Sequence, residues 1–117
     1  MQPGQIILFR FPQTDLDIGK LRPAVLLSKV PGPYEDWLIC MISSQVRRYT
    51  TDFDELVEED DSDFVTSGLK APSVVRIGRL AVVDNSVLLG AIGTLSSERL
   101  ARIKARLAKW LIEEPIR

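Results

Sequence analysis

The apolar residues of this chain change their spacing once, and that single change limits what it can fold into. Up to about residue 95 they come in short runs separated by turn residues. From Ser96 onward Leu100, Ile103, Leu107, Trp110 and Leu111 recur at helical spacing and make one apolar stripe. Ser96 is placed to cap that helix, Glu98 suits its first turn, and Pro115 ends it. Several short strands followed by one helix predict a mainly β chain with one C-terminal helix (β+α). The expected form is a small, curled, mostly antiparallel barrel with the helix packed on it. With 117 residues, 45% of them hydrophobic, the chain fits one domain over 1–117 with a core of its own.

The strands can be placed individually. Residues 5–11 alternate, with Ile7, Phe9 and Phe11 on one face and Arg10 on the other. A polar loop over 12–20 follows, longer than a tight hairpin. Residues 23–28 read as a second strand, and 37–44 as a third that is apolar on both faces and therefore central. Residues 64–68 read as a short strand or turn. Residues 74–83 and 87–95 read as two more strands joined at Asp84-Asn85-Ser86, with Gly90 and Gly93 marking a bend or a close backbone approach. Asp52 to Asp63, which carries the acidic cluster Glu58-Glu59-Asp60-Asp61, reads as a solvated connection. Arg99, Arg102, Arg106 and Lys109 read as a solvated basic face of the helix rather than an RNA-binding stripe.

Composition removes several kinds of chemistry. The chain has 0 histidines and 1 cysteine, Cys40, which sits in an apolar run. A zinc site is not expected, and a Ser-His-Asp or Cys-His nucleophile pair is excluded within the chain. No apolar run approaches the roughly 18 residues of a membrane span. Met1-Gln2-Pro3-Gly4 is not the start of a secretory signal, so a cytoplasmic location is expected. With a net charge of −1, any contact with nucleic acid must use a local patch.

Two places can carry chemistry. Pro23 disfavours the helical region for the residue before it, so Arg22 is held extended at the entrance of a strand, with Lys20 beside it. Ser43, Ser44 and Gln45 stand where the third strand ends. If the second and third strands pair antiparallel, Arg22 and Ser43 meet at one rim. The plainer readings are a structural ion pair of Arg22 with Asp15 or Asp17, and a strand that ends in turn-forming serines. Arginine without histidine suits an anion: its planar fork of donors fits phosphate and stays charged. RNA supplies its own nucleophile in the ribose 2′-hydroxyl. If the rim is catalytic, metal-independent RNA transesterification is the chemistry that fits.

The order Gly4-Gln5-Ile6-Ile7-Leu8, Phe11-Pro12, Arg22-Pro23-Ala24-Val25-Leu26-Leu27-Ser28 and Ile42-Ser43-Ser44-Gln45 resembles the MazF/PemK toxins of type II toxin–antitoxin systems. The stretch from Ser67 to Arg76 and Gly93-Thr94-Leu95-Ser96 resemble one branch of that family. The resemblance implies an SH3-like barrel, shared with the CcdB toxins, a homodimer, and an mRNA-cleaving endoribonuclease restrained by a cognate antitoxin. It implies no cofactor and no metal, single-stranded RNA as substrate, no membrane partner, and DNA contact only through the antitoxin complex. The family's catalytic arginine falls on Arg22 and its catalytic threonine on Ser43. Lys20, Ser44, Gln45 and Arg47 fall among the substrate-binding positions, and loop 12–20 matches the loop that covers the RNA channel. Ser43 keeps the hydroxyl of the family's threonine without its β-branch, and loop 12–20 lacks the family's Gly-Ser-Glu-Gln run. The alternatives are a non-enzymatic, gyrase-binding toxin and a degenerate one that only binds its antitoxin.

Overall fold

The structure is a computed structural model that describes residues 1–10 and 21–113. Its strands are β1 (Gln5–Arg10), β2 (Leu21–Lys29), β3 (Asp36–Ser43), β4 (Glu55–Val57), β5 (Ser73–Asp84) and β6 (Leu88–Thr94). The helices are a single turn, α1 (Phe64–Ser67), and the long C-terminal α2 (Ser97–Glu113). The strands form one antiparallel sheet in the order β4-β5-β3-β2-β1-β6, so β3 and β2 lie at its centre. Strands buried on both faces read as continuous apolar runs, which is why 37–44 was legible as central.

Alternation along the central strands feeds two cores. Val25, Leu27, Cys40 and Ile42 face a core closed by Ile103 and Leu107 of α2. Ala24, Leu26, Trp37 and Ile39 face the other, together with Ile7 and Phe9 of β1. The sheet curls because β5 carries a wide irregularity. Cys40 pairs with Leu80 but Ile42 with Val75, so one residue of β3 opposes several of β5. Gly78 lies in that irregularity against the ring of Phe53. The close approach expected near Gly93 is present: a Cβ there would run into the backbone of Thr66 and Ser67. That contact seats α1 on β6.

Helix α2 starts as expected, with the Ser96 hydroxyl accepting from the Arg99 N–H at 3.1 Å. Its stripe is shorter than the spacing suggests. Ile103 and Leu107 are buried and Trp110 packs edge-on against Phe53, but Leu111 is 62% exposed. The last turn of α2 extends past the body it packs against.

The acidic connection and the basic helix face are not simply solvated. Arg99 is 6% exposed. It donates to Asp63 at 2.8 and 3.0 Å, to Asp61 at 3.0 Å and to Glu55 at 3.2 Å. Arg102 and Arg106 also reach Glu55, at 3.0 and 2.8 Å. The segment read as a solvated loop therefore contains β4 and a half-buried ion network. Three residues of strand are too few to show a period, and the partners lie more than thirty residues away in α2. Asp63 also accepts from the Ser96 N–H at 3.0 Å and so ties the start of α2 to α1.

The Arg99 hydrogen bonds hold the Asp63 carboxyl at about 2, against an ordinary 3.8; burial opposes them and the Ser96 N–H assists. A carboxyl lowered on folding stabilises the fold above its ordinary value, and that contribution is lost as pH falls toward the folded value. Thermal unfolding is therefore expected to lose stability between about pH 4 and about pH 2, and Asp63→Asn is expected to flatten that part of the curve. An unchanged acid limb in Asp63→Asn would contradict the network's role.

Candidate active site at the β2–β3 seam

Arg22 enters β2 extended, as its proline requires, and pairs with Phe9 of β1. Across the other edge of β2, Ala24 pairs with Met41 of β3. Extending that register by two residues brings Arg22 level with Ser43. Residues level across an antiparallel pair share a face, with Cβ atoms about 4.5–5.5 Å apart. Arg22 and Ser43 indeed line one cleft, of about 390 Å³. Ser44, Gln45, Lys70 and Ser73 line it too, with apolar walls from Leu21, Ile42 and Leu69. Its volume lies within the usual range for ligand sites. Among the described residues that line it, two are cationic and none is acidic.

The polar groups are oriented. The Ser43 hydroxyl oxygen accepts from the Gln45 N–H at 3.1 Å, which leaves its proton to be donated outward. The Gln45 side-chain oxygen accepts from Arg48 Nε at 2.6 Å. Arginine only donates, so the Gln45 amide nitrogen is left as the free donor. Among the described residues the Arg22 side chain has no hydrogen bond or ion pair; Asp15 and Asp17, the partners considered for it from sequence, lie outside them. Arg99, by contrast, is buried and wrapped in carboxylates.

Of the residues singled out from sequence, Arg22, Ser43, Ser44 and Gln45 come together. Arg47 is exposed on the short 3-10 turn Val46–Arg48 and does not line the cleft. Lys20 and loop 12–20 lie outside the described residues. Two residues escaped the sequence reading. Lys70 belongs to the stretch from Ser67 to Arg76 but stood out only as one cation in a loop. Arg76 lies on β5 just past Val75, the partner of Ile42, where the β3–β5 register breaks, and it does not line the cleft. Arg76 Nε is buried without a hydrogen-bond partner among the described residues, an arrangement that suits an anion. Its alternation with Val75 and Ile77 was the available signal.

Cys40 is no nucleophile. Burial, with the Asp54 charge adding to it, pushes its thiol up to about 12, and Sγ donates to the Arg76 carbonyl at 3.0 Å. Among the described residues no three Cys, Asp or Glu side chains converge as metal ligands. What the cleft can do is bind an anion between fixed donors and stabilise charge that develops on it.

Residues 2–111 match the model of a family described as PemK-like, MazF-like toxin of type II toxin-antitoxin system. The chain belongs to this toxin family. No curated protein matches it by sequence. Solved structures share the toxin's fold. One is the Mycobacterium tuberculosis toxin MazF-mt6, at TM-score 0.65 and 19% identity, covering 92% of this chain and 96% of that one. Another is an endoribonuclease in complex with its cognate antitoxin from a mycobacterial species, at TM-score 0.66 and 16% identity, with 97% of each chain covered. The mainly β architecture with one C-terminal helix is thus that of the MazF toxins.

The two arginine environments separate function from stability. Arg22→Ala is expected to change unfolding free energy by no more than about 0.5 kcal/mol in denaturant titrations. Arg99→Ala is expected to cost about 3–5 kcal/mol, because it leaves buried carboxylates unpaired. Comparable losses in both variants would contradict the assignment.

Proposed function

We propose that this toxin is a metal-independent, sequence-specific endoribonuclease acting on single-stranded RNA. The observation that carries the reading is the cleft itself: Arg22, whose side chain has no partner among the described residues, and the hydroxyl of Ser43 line it together, with no carboxylate among the described lining residues. In this reading the ribose 2′-oxygen attacks the adjacent phosphorus and the bond to the 5′-oxygen breaks. The products are a 2′,3′-cyclic phosphate and a 5′-hydroxyl. Arg22 stabilises the charge that builds on the phosphate oxygens, and Ser43 donates a hydrogen bond to one of them. Ser44 and the Gln45 amide contact the nucleotide, Arg47 meets the strand beyond the cleft, and Lys20, outside the described residues, is assigned to substrate binding by the family resemblance.

The cognate antitoxin is the partner that restrains it; the mycobacterial endoribonuclease of the same fold is likewise in complex with its cognate antitoxin. An extended segment bearing acidic groups, laid over the Arg22 rim, would occupy the phosphate position. The toxin acts as a single cytoplasmic domain in a homodimer, and DNA is reached only through the antitoxin complex. Among the described residues no helix is long and apolar enough to cross a membrane.

Purified toxin incubated with mixed-sequence RNA in EDTA is expected to cut it, leaving a cyclic phosphate. Arg22→Ala is expected to slow cleavage by about 10²–10³, and Ser43→Ala to slow it as well, while Ser43→Thr stays active. No cleavage by the wild type, or equal cleavage by Arg22→Ala, would overturn the proposal. Toxicity that persists in Arg22→Ala would favour a toxin that acts by protein contact.

A further inference from the structure

Lys70 is the second cation of the cleft, and its setting is more rigid than that of an ordinary surface lysine. Gly68 closes α1 with φ +74, lying so tightly on Ile92 that no side chain fits there. Ser67, fully buried, accepts from the Leu69 N–H at 3.1 Å. Leu69 packs against the main core, and Ser73, also buried, donates to the Ala71 carbonyl at 2.9 Å. The backbone on both sides of Lys70 is therefore pinned, while its side chain is exposed and has no hydrogen bond or ion pair among the described residues.

Its position relative to Arg22 is informative. The sheet order runs β5-β3-β2, and the cleft is lined by Ser73 of β5, Ser43 of β3 and Arg22 of β2. Lys70 stands three residues before Ser73, in the loop that leads into β5, and lines the cleft from that side. Ser43 lies between the two cations. Two like charges on opposite flanks of one hydroxyl suit two successive phosphates of a chain better than a single one.

We propose that Lys70 holds the phosphate next to the scissile one, so that the cleft grips RNA through two consecutive phosphates. The proposal rests on the RNA-cleaving reading and adds a positioning residue to it. Lys70 contributes binding that is equal in ground and transition states, and so acts on KM rather than kcat.

The probe is a mixed-sequence single-stranded RNA methylated at every 2′-oxygen, which its own hydroxyls cannot cleave. Its affinity for the full-length protein is measured against salt concentration. Lys70→Ala is expected to weaken binding about tenfold at low salt and to reduce the log–log salt slope by about 0.7, one phosphate contact. On cleavable RNA its KM is expected to rise with kcat unchanged within about twofold, and Lys70→Arg is expected to restore both. Lys104→Ala, an exposed lysine on α2 away from the cleft, is the charge control and is expected to change neither. Wild-type affinity and slope in Lys70→Ala, an equal loss in Lys104→Ala, or a fall in kcat at constant KM would each overturn the proposal. Wild-type protein that neither binds nor cuts RNA overturns the underlying reading as well, and does so before any substitution is made.

Discussion

The antiparallel pairing of β2 with β3 is the constraint on which both the fold and the site depend. The two strands sit at the middle of the sheet and alternate their side chains into two separate cores. A slip of one residue would exchange those cores, so the register is fixed by burial on both sides. The same register decides what meets at the strand ends. Ala24 level with Met41 carries Arg22 to Ser43. The geometry of the cleft is thus enforced by apolar residues that never touch a ligand.

The arginines of this chain divide into two populations, and the division explains why its overall charge says little about its cleft. Arg99, Arg102 and Arg106 are taken up by Glu55, Asp61 and Asp63, which join α2 to β4 and α1. The acidic side chains that lower the net charge to −1 include several that are neutralised inside this network. Among the described residues the cleft is lined by Arg22 and Lys70 and by no acid, a local cationic patch. Anion binding here is a local property of one seam.

Much of this was legible in the residues. The period change at Ser96 announced the helix, the doubly apolar run at 37–44 announced the central strand, and Pro23 announced an extended Arg22. These signals are local, so sequence carries them directly. What escaped depended on contacts distant in the chain. Strand β4 exists because Glu55–Val57 pairs with β5, and three residues cannot show alternation. Arg99 looked like its neighbours on a basic face, because nothing in 97–113 reveals that Asp63 waits beneath it. Lys70 reaches the site through a glycine-seated loop, which spacing does not disclose. Leu111 failed the opposite way: its helical spacing is right, but the body beneath α2 ends before it.

The central claim is that the Arg22–Ser43 seam holds the phosphate of an RNA strand. A crystal structure of the protein with a short RNA methylated at its 2′-oxygens tests it most directly. The account predicts a phosphate within hydrogen-bonding distance of the Arg22 guanidinium and the Ser43 hydroxyl. RNA bound along the arginines of α2, or on the 46–48 turn with the seam empty, would contradict it.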